Sequence, residues 1–107
     1  MILSTAESIA GRRTIRTLGI VRGNTVRARH LGKDIVAVLK NIVGGEIEEY
    51  TKLLGESRDQ ALDRMIAQAQ EAGANAIVCI RFTTSYVMSN AAEIMVFGTA
   101  VVVEDEH

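Results

Sequence analysis

The chain has 107 residues, of which 48% are apolar and 23% charged, with a net charge of −1. That is enough for one domain with one core, expected over residues 1–107, but more apolar surface than so short a chain comfortably hides, which points to a second buried surface between subunits. A single cysteine, Cys79, excludes an intrachain disulfide, and the absence of any run near the roughly 18–20 apolar residues that cross a bilayer excludes a spanning helix.

The small net charge hides a polarity. Residues 1–45 hold eight Lys/Arg against two acids, and residues 46–107 hold four against eleven. Two complementary surfaces that meet within or between subunits explain this, as would an anion-binding surface. The N-terminal apolar stretch is too short for a signal peptide and has no basic segment before it, so a soluble cytoplasmic protein is expected.

The first element, over residues 14–29, is predicted to be β structure, with Gly23-Asn24 as a tight hairpin turn. A short helix follows, capped by Asp34, with Ile35, Val36, Leu39, Ile42 and Val43 in a stripe that Gly44-Gly45 stops or kinks sharply. A longer helix is predicted over residues 46–72. Glu46, Glu48 and Glu49 suit its first turn, and Ile47, Tyr50, Leu54, Ala61, Met65, Ala69 and Ala72 recur on one face. Gly55 lies inside that pattern and suggests close approach of another backbone. Gly73 is the expected C′ residue.

Two strands close the chain. In residues 75–87 the even positions, Ala76, Val78, Ile80, Phe82, Thr84 and Tyr86, make the better core face. Residues 91–103 are apolar on both sides, which predicts a central strand buried on both faces. The two read as a hairpin across Met88-Ser89-Asn90. The last residues run into a short acidic end expected to fray. The fold class is therefore α+β: a β-α-β-β subunit with a three-stranded mixed sheet covered on one face by the long helix, the first strand parallel to the second and the third inserted between them. The uncovered face would expose Met95, Phe97 and Val101, each worth roughly 1.5–3 kcal/mol when buried, and a second subunit is the economical cover.

Several segments carry a resemblance. They are Gly23-Asn24-Thr25-Val26-Arg27-Ala28-Arg29, Leu39-Lys40-Asn41-Ile42-Val43-Gly44-Gly45-Glu46-Ile47 and Gly73-Ala74-Asn75-Ala76-Ile77-Val78. Arg81-Phe82-Thr83-Thr84-Ser85, Ala92-Glu93-Ile94 and Gly98-Thr99-Ala100-Val101 complete them. In this order and spacing the chain resembles the YbjQ-like family of small bacterial proteins over residues 1–104. The resemblance implies a dodecin-like subunit and a ring-shaped homopentamer. It brings a provisional heavy-metal-binding label and no catalytic residues. At position 30 family members commonly have asparagine where this chain has His30, so a ligand role for His30 would not be a family trait.

The chemical candidates are few. For a metal ion there is no Cys-x-x-Cys, no paired histidines and no calcium-loop carboxylates; Cys79, His30 and His107 are isolated. Only ring symmetry could multiply Cys79 or Glu93 into a ligand set. Cys79 alone is expected to be a small packed side chain. For an anion, Arg27, Arg29, His30 and Lys33 crowd the stretch leading to a helix start; the alternative is a basic strand that meets the acidic helix of a neighbour. Arg81 and Glu93 share the face away from the long helix, where they pair with each other or across a subunit boundary, or else form a polar ring at the oligomer axis. Nucleic acid is not expected, since net charge is negative and only four aromatics exist to stack bases. Hydroxyls at Ser4, Thr5, Thr83, Thr84 and Ser85 lack a nearby histidine base. The expected function is a non-enzymatic homo-oligomeric binding or scaffold protein for a small ligand, metal or anion. A hydrolase or transferase with a site assembled between subunits is the alternative.

Overall fold

The computed structural model describes residues 1–27, 48–88 and 91–106. The expected helix over residues 34–43, with Arg29, His30, Lys33 and Gly44-Gly45, lies outside them, as do Ser89, Asn90 and His107. Among the described residues the elements are strands β1 (Ile2–Leu3) and β2 (Arg12–Arg27), helix α1 (Glu48–Ala72), and strands β3 (Ala76–Met88) and β4 (Ala91–Asp105). They make one α+β unit in which α1 lies over a mixed four-stranded sheet of order β1-β3-β4-β2. The expected three strands become four because residues 2–3 add a short parallel strand to the edge of β3. Strand β4 is central and antiparallel to both β2 and β3, as its two apolar faces require. The extents of 57 × 26 × 15 Å follow from strands this long and from one helix layer on one sheet.

Strand β2 runs straight through Gly23-Asn24, so the hairpin expected there does not form. The glycine serves packing instead. A Cβ at Gly23 would stand 2.0 Å from the Ala61 carbonyl oxygen and 2.6 Å from the Met65 amide nitrogen, both helix backbone. The helix answers with small or flexible side chains on that face: Ser57, Ala61, Met65 and Ala69 are all fully buried. Gly55, by contrast, has nothing within 4 Å of a built Cβ among the described residues, so none of them makes the close approach expected there. The helix ends where predicted. Gly73 takes φ +90°, its amide donates to the Gln70 carbonyl, and the Ala74 amide donates to the Ala69 carbonyl, the paired bonds of a Schellman cap.

Strand β3 does not keep one core face. Its register with β4 shifts between Val78 and Arg81, and Cys79 adopts φ 57° inside that bulge. Ile77 and Ile80 consequently face the helix with Val21, Val96 and Ala100. Ala76 and Val78 face the other side, with Val101 and Val103. Gly98 makes room for the bulge, since a Cβ there would meet the Ile77 side chain at 2.7 Å. The even-numbered face expected from alternation is thus split by one extra residue.

The second cluster is covered by the chain's own N-terminal segment. Ile2 and Ile9 pack on it. The Ile2 amide donates to Asn75, Ser4 to Ile77, Cys79 to Ala6 and Ile80 to Ser4, all at 3.0–3.1 Å. Val101, expected to need a second subunit, is only 2% exposed within one chain. The acidic end, expected to fray, is held by contacts as far as Glu106. Arg12 pairs with Asp105 at 3.5 Å, Arg13 pairs with Glu104, and the Glu106 amide donates to the Gly11 carbonyl. Part of the charge polarity is therefore satisfied inside the chain.

Candidate functional site on the open sheet face

Beyond the bulge, the face of the sheet opposite α1 is not covered by the N-terminal segment. Cross-strand partners share a face, so the ladder fixes its contents. One row is Arg22, Phe97 and Arg81; the next is Asn24, Met95 and Thr83; the third is Val26, Glu93 and Ser85. Phe97, Met95 and Glu93, on the central strand, are half-buried, whereas Arg22, Asn24, Arg81, Thr83 and Ser85 are exposed. Ile20, one row nearer the bulge, is 80% exposed.

Arg81 and Glu93 share this face but not a bond. They stand in rows four positions apart on β4, about 13 Å along the strand. The Arg81 Nη1 donates to the Thr5 carbonyl at 2.9 Å and to its neighbour Ile80 at 2.7 Å. It thereby ties the N-terminal segment to β3. Glu93 accepts from Asn24 Nδ2 at 3.2 Å. The expected Arg81–Glu93 pair is thus replaced within the chain by two separate local uses.

Cys79 sits in the bulge, half-buried, packed against the second cluster, with its amide bonded to Ala6. Several residues of strand separate it from Glu93, so the two cannot share an ion in one subunit. Among the described residues no three His, Cys, Asp or Glu side chains converge on a point that would hold a metal. The donor set that a heavy-metal ion needs is therefore not found in the described part of one subunit. Of the basic stretch only the backbone of Arg27 is described, the last residue of β2 opposite Ala92; Arg29 and Lys33 lie outside.

Arg22 and Asn24 are residues of this face that sequence reasoning missed. The signal was the alternation Ile20, Arg22, Asn24, Val26, which puts four side chains on one side of an extended strand. It was hidden by taking Gly23-Asn24 for a turn.

Comparison with known proteins bears on what such a face belongs to. The family model YbjQ, described as "Putative heavy-metal-binding", matches residues 1–104. The chain belongs to the YbjQ family. A UPF0145 protein of Dehalococcoides mccartyi is 61% identical over 104 residues, 97% of this chain and 100% of the relative. A UPF0145 protein of Archaeoglobus fulgidus is 56% identical over 101 residues, 94% of each chain. YbjQ relatives are therefore archaeal as well as bacterial, broader than the resemblance implied. A crystal structure of a protein of unknown function from Pediococcus pentosaceus, assigned to the DUF74 family, superposes with a TM-score of 0.65. It covers 97% of this chain and 98% of its own at 14% identity, which supports the fold alone. In the described residues no helix is long and apolar enough to cross a membrane.

Proposed function

We propose that this YbjQ protein is a non-enzymatic homo-oligomeric binding protein, a ring of five dodecin-like subunits, that holds a small ion where subunits meet. The observation that carries this reading is the open face. Phe97 and Met95 lie at the centre of the sheet with no second layer over them in the described residues, flanked by Ile20 and Val26, which are 80% and 52% exposed. Apolar patches of this kind on a soluble protein mark interaction surfaces. The polar groups on the same face, Arg22, Arg81, Asn24, Glu93 and Thr83, would be repeated around the ring axis by symmetry. That repetition turns one Glu93 or one arginine per subunit into a ligand set, which is how a cation or anion site would arise without a linear motif.

Native mass spectrometry of the protein as isolated tests both halves. The expected result is a five-subunit mass carrying a bound small species, and Phe97→Glu is expected to give monomers. A wild-type monomer at micromolar concentration, or a Phe97→Glu oligomer of unchanged mass, would overturn the assembly. Loss of the bound species on Glu93→Gln or Arg22→Ala, with the ring intact, is expected if the shared face holds it.

A further inference from the structure

A ring with an odd number of subunits cannot be built from a surface that meets its own copy, because such contacts close in pairs. The open sheet face must then meet a different surface of the next chain. Among the described residues, three other places carry exposed large apolar side chains. Met1 and Leu3 lie in residues 1–6, which hold no acid. Ile15 lies among Arg12, Arg13 and Arg16, the first two paired with Asp105 and Glu104. The third is Phe82, 46% exposed on the helix side of β3, where it pairs with Val96.

Phe82 belongs to a larger patch. Its row across the sheet runs Gly23, Val96, Phe82, and Gly23 lies beneath Ala61 and Met65 of α1. From that level of the helix, Arg64 donates to the Asn24 carbonyl and Gln68 accepts from the Arg22 amide, both on the outer side of β2. Leu62 and Ile66 come two residues before these, roughly half-way round the helix. They therefore line the opposite flank, toward β3, where both are only half-buried. Asp59 and Asp63 stand exposed beside them, with Glu56 on the same row and Arg58 nearby. This flank is apolar with three acids against one base. The open face is apolar at Phe97, Met95 and Ile20, with Arg22 and Arg81 against Glu93. Asp59, Asp63, Arg22 and Arg81 have no ion-pair partner among the described residues. Like charges one turn apart, as at Asp59 and Asp63, destabilise a helix until cations meet them.

We infer that the flank formed by Leu62, Ile66 and Phe82, with Asp59 and Asp63 at its rim, packs on the open sheet face of a second copy of this chain, head to tail. This rests on the oligomeric reading and deepens it by naming the second surface of the contact. Charge selects the flank: its acids meet Arg22 and Arg81, whereas the Ile15 patch would set Arg16 against them. The two surfaces lie on opposite sides of one sheet, so each copy joins two neighbours, and the series closes as a ring when the rotation per subunit fits.

The test breaks one surface at a time. Phe97→Glu spoils the sheet face and leaves the flank, and Phe82→Glu does the reverse. Each variant alone is expected to sediment as a monomer in analytical ultracentrifugation. An equimolar mixture is expected to form a species of two subunits and nothing larger, because it holds one intact copy of each surface. A mixture that stays monomeric while the wild type assembles overturns the head-to-tail contact and leaves the oligomer standing. So does a Phe82→Glu chain that associates like the wild type, since the flank is then not used. The exposed acids give a second arm that does not depend on how the phenylalanine variants fold. Asp59→Arg together with Asp63→Arg is expected to weaken wild-type association at least tenfold, and unchanged association would show that the arginines meet another surface. A wild type that never associates overturns both readings.

Discussion

Strands β3 and β4 cross two regions that differ in a single respect. Near Ala76–Ile77 and Val101–Val103 the sheet is covered on both faces, by α1 on one and by residues 2–9 on the other. Near Thr83–Ser85 and Glu93–Met95, among the described residues, only the helix side of the central strand is covered. Ile94 and Val96 are 4% and 0% exposed, while Met95 and Phe97 remain half-open on the other face. The same alternating apolar strand is thus a finished core at one end and half of one at the other. What divides them is the Cys79 bulge and the Arg81 bond to Thr5, where the N-terminal cover stops.

The largest effect is expected where the helix touches the sheet most closely, because both regions depend on it. Gly23→Val would drive a side chain into the helix backbone at Ala61 and Met65, which cannot rotate away. A loss of at least about 3 kcal/mol, or no folded protein, is expected in urea denaturation; a loss under about 1 kcal/mol would show that the helix seats loosely. The next pair of substitutions compares the two regions directly. Ile77→Ala in the closed region removes a fully buried side chain and is expected to cost about 2–5 kcal/mol. Thr83→Ala in the open region should fall within about 0.5 kcal/mol for the subunit itself. Equal costs would mean that the open face is already filled in the isolated chain. The smallest effect belongs to the sheet's far end. Arg12→Ala removes an ion pair between side chains 40% and 69% exposed. It should shift stability by no more than about 1 kcal/mol, less still in high salt.

Much of this architecture was written in side-chain periodicity. The two-faced apolar run placed β4 at the centre, and the three- and four-residue steps through Ala61, Met65 and Ala69 gave the helix its buried face. Failures came where one residue served backbone geometry. Gly23 has the composition of a turn, but it is there because a helix backbone occupies the space of its side chain. Cys79 takes a left-handed conformation that a non-glycine residue rarely adopts and that alternation cannot register. One extra residue there moved Ile80 to the helix side and Val78 away from it. Residues 2–3 were too short a strand to show any period. Of the candidate site, the shared face of Arg81 and Glu93 was visible by counting. Their separate partners, Thr5 and Asn24, were not, since both come from segments whose placement depends on the misread turn and the unseen first strand.

The seam that closes the sheet also has a consequence in time. Thr5 meets Arg81 across 76 residues, and Arg13 meets Glu104 across 91. The N-terminal segment finds its partners only once β3 is present. Such contacts demand large loop closures before they stabilise anything, so folding is expected to be slow for a chain of this length. Until that closure the edge of β3 near Ala76–Ile80 stands without its N-terminal cover, and that interval, more than the finished subunit, is when the chain is most exposed to joining the wrong neighbour.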